Sequence, residues 1–164
     1  MLNIFTVSFF GHRSIEQASE IDNRLEKLLH DLIMQKEYVE FLIGRDGEFD
    51  LLASAAIKRA VREHGYGNTH FTLVLPYMKA EYRDNEKEYL GYYDEVEVCE
   101  ESSEAHPKAA ILIRNRYLVY RSDLIVCCIQ RESGGAYKTM QYAEKLGKRI
   151  INLSEQQGFE RSIC

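Results

Sequence analysis

The chain has 164 residues and 19.1 kDa, enough for one domain with a sizeable core, and 45% hydrophobic with 29% charged residues is a soluble globular composition. No apolar run approaches the roughly 20 residues that span a bilayer, and a net charge of −5 argues against a general binder of nucleic acid or anionic membrane. That charge is unevenly spread: residues 81–104 hold ten acidic and two basic residues, a balance of −8, which leaves the remainder at +3. An acidic insert on a mildly basic body still allows a small anionic ligand.

The start, MLNIFTVSFFGHR, lacks a basic n-region and a small-residue cleavage site, so a secretory signal is not expected, and Ile4 to Phe10 reads as a first strand. Ser14 to Gln35 carries Ile15, Ala18, Ile21, Leu25, Leu28, Leu29 and Leu32 on one helical stripe. Its opening, Ser14-Ile15-Glu16-Gln17, has capping-box spacing. A second strand, Tyr38–Ile43, precedes a helix on which Phe49, Leu52, Ala53, Ala56, Ile57, Ala60 and Val61 recur at three- and four-residue steps. His64-Gly65-Tyr66-Gly67 ends it with glycine punctuation.

Phe71–Pro76 and Val96–Cys99 are further strand candidates, with a short, weakly amphipathic helix from Lys79 to Tyr89 between them. This stretch belongs to the acidic insert, around residues 79–106, whose Tyr82, Tyr89, Tyr92 and Tyr93 favour local packing over an interface or ligand lid. Pro107 to Tyr120 reads as a helix with Pro107 in its first turn and Ala109, Leu112, Ile113, Tyr117 and Tyr120 inward. Leu124–Gln130, a helix from Ala136 to Leu146 stopped by Gly147, and a last strand Arg149–Leu153 complete the series.

Cys99, Cys127, Cys128 and Cys164 form no CxxC pair and no zinc-like cluster, so no metal is expected. Adjacent Cys127 and Cys128 should face opposite sides of a sheet as free buried thiols, which suits a reducing cytoplasm. Alternating strands and helices, with near-continuously apolar strands, predict an α/β fold. The expected form is a Rossmann-like three-layer sandwich around a mostly parallel sheet, as one domain over residues 1–164.

Such sheets bind ligands at the carboxyl ends of their strands. Three strand-to-helix junctions there carry unusual chemistry: Phe10-Gly11-His12-Arg13-Ser14, Ile43-Gly44-Arg45-Asp46-Gly47-Glu48-Phe49-Asp50 and Arg131-Glu132-Ser133-Gly134-Gly135-Ala136-Tyr137-Lys138-Thr139. Glycines let backbone approach a ligand, and helix N-termini favour phosphate. One such loop is more often only a tight turn, but three in register, with polar side chains at every corner, favour a site. Ser133, Lys138 and Thr139 add hydroxyl donors and a cation, and His12 and Arg13 could donate to phosphate or ribose. Asp46, Glu48 and Asp50 read either as helix N-terminal carboxylates or as ribose ligands or a general base. Arg114 and Arg116 either are solvated or reach the crevice through the Arg114-Asn115-Arg116-Tyr117 turn.

GHR after the first strand, an Asp-containing helix start after the second, and RNRYLVYRSDLIVCCI…GGAYKTMQYAEKLGKRIINL together resemble the SLOG superfamily. This Rossmann-like group includes the DNA-processing protein A family, the Lonely-guy phosphoribohydrolases and small bacterial proteins of the YpsA and YoqJ type, to which the resemblance is greatest. It covers nearly the whole chain and is clearest from Arg114 to Leu153. It implies a nucleotide or nucleotide-derived ligand, with Gly11, His12, Gly44, Gly134, Gly135 and Thr139 matching ligand-facing loops. Arg13, Asp46, Gly47, Arg114 and Ser133 complete the candidate ligand set. Lonely-guy enzymes carry PGGxGTxxE with a catalytic glutamate. Here the proline is missing, the threonine lies one residue farther on, and Tyr142 stands at the glutamate position, which argues against that activity.

Three functions follow in order. The first is a cytoplasmic binding module, a sensor or carrier of a nucleotide-type small molecule, with no cofactor of its own. The second is a nucleotide N-glycosidase or phosphoribohydrolase using Glu48, Asp50 or Glu132. The third is single-stranded nucleic-acid binding, which the acidic insert and a pI near 5.6 disfavour. Membrane partners are not expected, and self-association into a homo-oligomer is left open.

Overall fold

A computed structural model describes residues 1–155. Cys164 and the end of the expected domain lie outside the described residues. Six strands form one parallel sheet in the order β4-β3-β2-β1-β5-β6. They are β1 (Ile4–Gly11), β2 (Tyr38–Ile43), β3 (Thr69–Leu75), β4 (Glu95–Val98), β5 (Leu124–Cys128) and β6 (Arg149–Asn152). The helices are α1 (Ala18–Gln35), α2 (Glu48–His64), α3 (Ala80–Asp84), α4 (Glu86–Tyr92), α5 (Glu100–Ser103), α6 (Pro107–Arg121) and α7 (Gly134–Lys145). No helix among the described residues is long and apolar enough to cross a membrane.

Strand alternation explains the three layers. Val7 and Phe9, Val39 and Phe41, and Phe71 and Leu73 point to one face, where Leu25, Leu28, Leu29, Phe49, Ala53 and Ile57 of α1 and α2 cover them. The other face is smaller and more polar. Phe10, Ile125 and Cys127 meet Val119 and Ala143, while Leu42 and Val74 meet Cys99 and Leu118. Cys127 and Cys128 therefore face opposite layers, both fully buried as free thiols. On this second face Arg121 of α6 bridges Glu40 on β2 at 3.1 Å and Glu97 on β4 at 2.9 Å.

The chain winds outward from β1 to β4 and then returns to place β5 on the other side of β1. The gap between the carboxyl ends of β1 and β5 is thus the switch point where loops part. Gly11 sits there for a packing reason. A Cβ on it would lie 2.5 Å from Cγ of the Phe49 ring, so only glycine lets α2 seat against the end of β1.

Four local expectations are corrected. The capping box does not form: Gln17 has φ 58°, and α1 begins only at Ala18. The Ile15 amide donates instead to Glu48 Oε2 at 2.8 Å and the Glu16 amide to Gln130 Oε1 at 2.8 Å, so tertiary partners claim the donors that a cap would use. The inward stripe of α6 is Ala110, Arg114, Asn115, Leu118 and Val119, whereas Ala109 and Tyr120 are exposed. Polar Arg114 and Asn115 turn inward because acceptors await them at the strand ends. The insert holds three short helices rather than one, with Tyr89 and Tyr93 buried and in ring contact with Tyr82, Tyr92 and Phe71. Finally, α7 starts at Gly134, two residues before the apolar pattern does.

Gly11→Ala should destabilise the protein by about 1–3 kcal/mol, the usual cost of forcing atoms into a close-packed contact. Urea denaturation measures it, and an unchanged midpoint would show that α2 can move aside.

Candidate functional site

A cleft of about 520 Å³ opens at the switch point, between the ends of β1 and β2, the first half of α6 and the start of α7. The Gly11-His12-Arg13 corner, Gly44 and Asp46, Arg114, and Ser133, Gly134 and Gly135 all line it. Asp50 does too, alone among the three carboxylates considered for catalysis. Glu48 holds the Ile15 amide and Glu132 is exposed outside the lining. Gly47 lies just outside the lining, where a Cβ would strike the Arg13 backbone at 2.5 Å. Thr139 is fully buried beneath the corner, donating to Gly135 O at 2.8 Å and accepting from Asn115 Nδ2 at 3.5 Å. Arg116 is exposed over the Tyr142 ring, 5.3 Å from its centroid.

One wall is framework and carboxylate. Arg114 is 2% exposed and all three of its nitrogens donate within the protein. Nη1 reaches Val74 O at 2.7 Å, Nη2 reaches Asp46 Oδ2 at 2.5 Å and Nε reaches Asn115 Oδ1 at 2.9 Å. A Cβ on Gly44 would lie 2.9 Å from this guanidinium, so glycine is what lets it lie flat on the loop. Asp46 also meets Lys79 Nζ at 2.9 Å. Burial opposes its charge, but the Arg114 and Lys79 cations outweigh that and hold the carboxyl below its ordinary range. Asp50, 8% exposed, accepts the Asp46 amide at 2.9 Å, yet burial pushes its carboxyl up to about 6.

The opposite wall is cationic and amide-rich. Gly134 has φ +89°, a left-handed conformation that suits glycine, and a Cβ on either Gly134 or Gly135 would meet nothing within 4 Å. Ser133 makes no side-chain capping bond, so no cap takes the first amides of α7, and the positive end of the helix dipole lies behind them. The Arg13, Lys108 and Lys138 side chains line the cleft without an ion pair among the described residues. Arg131 joins them while donating to Ser14 O at 3.2 Å.

Sequence reading overlooked Lys108, Ile111 and Leu112 as lining residues, which with Asn115 of the anticipated Arg114–Tyr117 turn bring one face of α6 to the cleft. Their spacing of three, four and seven residues was a usable signal, but the stripe mixes polar and apolar types and so escapes a search for hydrophobic period. Among the described residues no three His, Cys, Asp or Glu side chains converge as a metal site would require.

The raised Asp50 carboxyl sets a pH dependence. A carboxyl whose folded pKa lies above its unfolded value costs stability as pH rises through the window between them, here from about 4 to about 6. Asp46 acts oppositely and in a lower window, its contribution fading as pH falls below about 4. Asp50→Asn should therefore raise stability at pH 7 by up to about 3 kcal/mol and by far less near pH 4. Chemical denaturation across pH 4–8 measures this, and a pH-independent difference would contradict it.

No protein-family profile matches the sequence, and no curated protein matches it. Solved structures do. DNA processing protein A from Streptococcus pneumoniae superposes with a TM-score of 0.63 at 16% identity, over 98% of this chain and 54% of that one. The chain thus spans about half the length of that protein. DNA processing protein A from Helicobacter pylori, whose single-stranded DNA binding mode its structure describes, gives 0.61 at 18% identity over 94% and 69% of the two chains. The molybdenum cofactor carrier protein from Chlamydomonas reinhardtii gives 0.54 at 14% identity over 90% and 75%. The architecture is the Rossmann-like α/β fold with a parallel central sheet that the sequence predicts.

Proposed function

We propose that this chain binds a nucleotide or nucleotide-derived ligand in the switch-point cleft, as a cytoplasmic sensor or carrier. One observation carries the reading. The uncapped start of α7 opens on empty space beside the unpaired Arg13, Lys108 and Lys138 side chains. Free amides, a helix dipole and unpaired cations in one cleft suit a phosphoryl group. The acceptors on the facing wall suit the rest of a nucleotide. Neighbours in fold that bind single-stranded DNA or carry a molybdenum cofactor are in keeping with a ligand-binding role.

The N-glycosidase reading narrows to Asp50, whose buried carboxyl, raised to about 6, is what favours it. Asp46 is the nearest partner in sequence, but Arg114 and Lys79 hold it as a fixed counter-ion. The nucleic-acid reading faces the acidic insert and has no observation of its own in this chain.

Calorimetric titration with AMP, ADP-ribose and a cyclic dinucleotide tests the first reading. At least one should bind, and Gly135→Asp, which sets a carboxylate before the α7 amides, should weaken it tenfold or more. Absence of binding by all three would contradict the proposal. Release of free base from AMP that Asp50→Asn abolishes would move the function to the enzyme reading.

A further inference from the structure

His12 ends the β1 corner, is 5% exposed and lines the cleft, yet its Nε2 has no hydrogen-bond partner in the protein. Burial, then the Arg131 charge, push the ring below its ordinary pKa, so it is neutral near pH 7. A hydrogen bond with the Arg131 backbone acts the other way by favouring the proton. We assign the proton of the neutral ring to the other nitrogen, which makes the unpaired Nε2 a lone-pair acceptor. Asp50 is a second acceptor in the same cleft, with Oδ2 on the Asp46 amide and Oδ1 without a partner among the hydrogen bonds of the described residues.

Neither group suits a phosphate. An imidazole lone pair and a carboxylate both repel phosphoryl oxygens, and both need a donor to compensate their burial. The anionic part of a ligand belongs at the α7 corner, so what reaches His12 and Asp50 must carry O–H or N–H. In a nucleotide the donors nearest the phosphate are the sugar hydroxyls. Of the two partners expected for His12, phosphate and ribose, this favours ribose, with His12 accepting rather than donating.

We propose that His12 and Asp50 are specificity-determining residues that accept from sugar hydroxyls, so that the cleft takes ribose phosphates and ribonucleotides in preference to their deoxy forms. The inference rests on the reading of the cleft as a nucleotide site. A buried acceptor built for a hydroxyl rejects the analogue that lacks it far more strongly than an apolar pocket rejects a size change.

Calorimetry with AMP, 2′-deoxy-AMP and 3′-deoxy-AMP tests it, with inorganic phosphate reading the α7 corner alone. AMP should bind at least tenfold more tightly than one of the deoxy analogues. His12→Phe keeps a ring in place without the acceptor, and should cut that ratio by about threefold or more, with Asp50 left as the remaining acceptor. His12→Gln, which restores an acceptor, should recover part of it. Equal affinities for AMP and both deoxy forms in the unmodified protein would overturn the inference while leaving the nucleotide site standing, as would a His12→Phe variant with the original ratio. Binding of inorganic phosphate but of no AMP would overturn both.

Discussion

The buried Arg114 guanidinium is the interaction on which the cleft depends. It ties the end of β3, through Val74 O, to the β2–α2 loop, through Asp46, and to its own helix, through Asn115. A charge this deep costs several kcal/mol unless it is paired and hydrogen-bonded, and here every nitrogen is engaged. The requirement propagates. Gly44 must be glycine for the guanidinium to lie on the loop, and Asp46 must stay ionised opposite it. With α6 held there, its Lys108 lines the cleft and Asn115 reaches Thr139, which in turn anchors the first turn of α7.

That framework separates charges that would otherwise cancel. Arg45 reaches the Tyr93 hydroxyl and lies over the Tyr89 ring, while Lys79 reaches Asp46, so the acidic insert is fastened at the β3–β4 end of the sheet. The cations that line the cleft come from the β1 corner, α6 and α7 instead. A net charge of −5 thus coexists with a cleft that cations line. The cleft holds two groups that the protein leaves uncompensated: a carboxyl whose burial raises its pKa to about 6 and a histidine nitrogen with no partner. A preference for sugar hydroxyls would also set this chain apart from relatives in fold that bind DNA.

Much of the fold was legible in the sequence because parallel strands buried on both faces leave continuous apolar runs, as in Phe41 to Ile43 and Leu124 to Cys128. The α1 and α2 stripes were equally readable, since the buried face of α1 is wholly apolar and that of α2 is mainly so. The failures share a cause. At α6 the buried face includes Arg114 and Asn115, and at Ser14 to Gln17 the amides are taken by residues about 33 and 114 positions away, so local pattern could not reveal either. The three loops were readable as a site because they carry glycine and polar residues where turns need only the former. What sequence could not separate was framework from ligand contact. Arg114, Glu48 and Thr139 look like ligand groups in the sequence; in the structure Arg114 and Thr139 spend their polar atoms on the protein itself, and Glu48 commits Oε2 to the Ile15 amide.

The central claim is that the uncapped start of α7 holds the anionic group of a nucleotide. Titration of isotopically labelled protein with AMP, followed by backbone amide resonances, tests it residue by residue. The account predicts that the largest shifts fall on Gly134, Gly135 and Ala136, with smaller ones at His12 and Arg13. Saturable binding that leaves the Gly134 to Ala136 amides unmoved, or no binding at millimolar AMP, would contradict it.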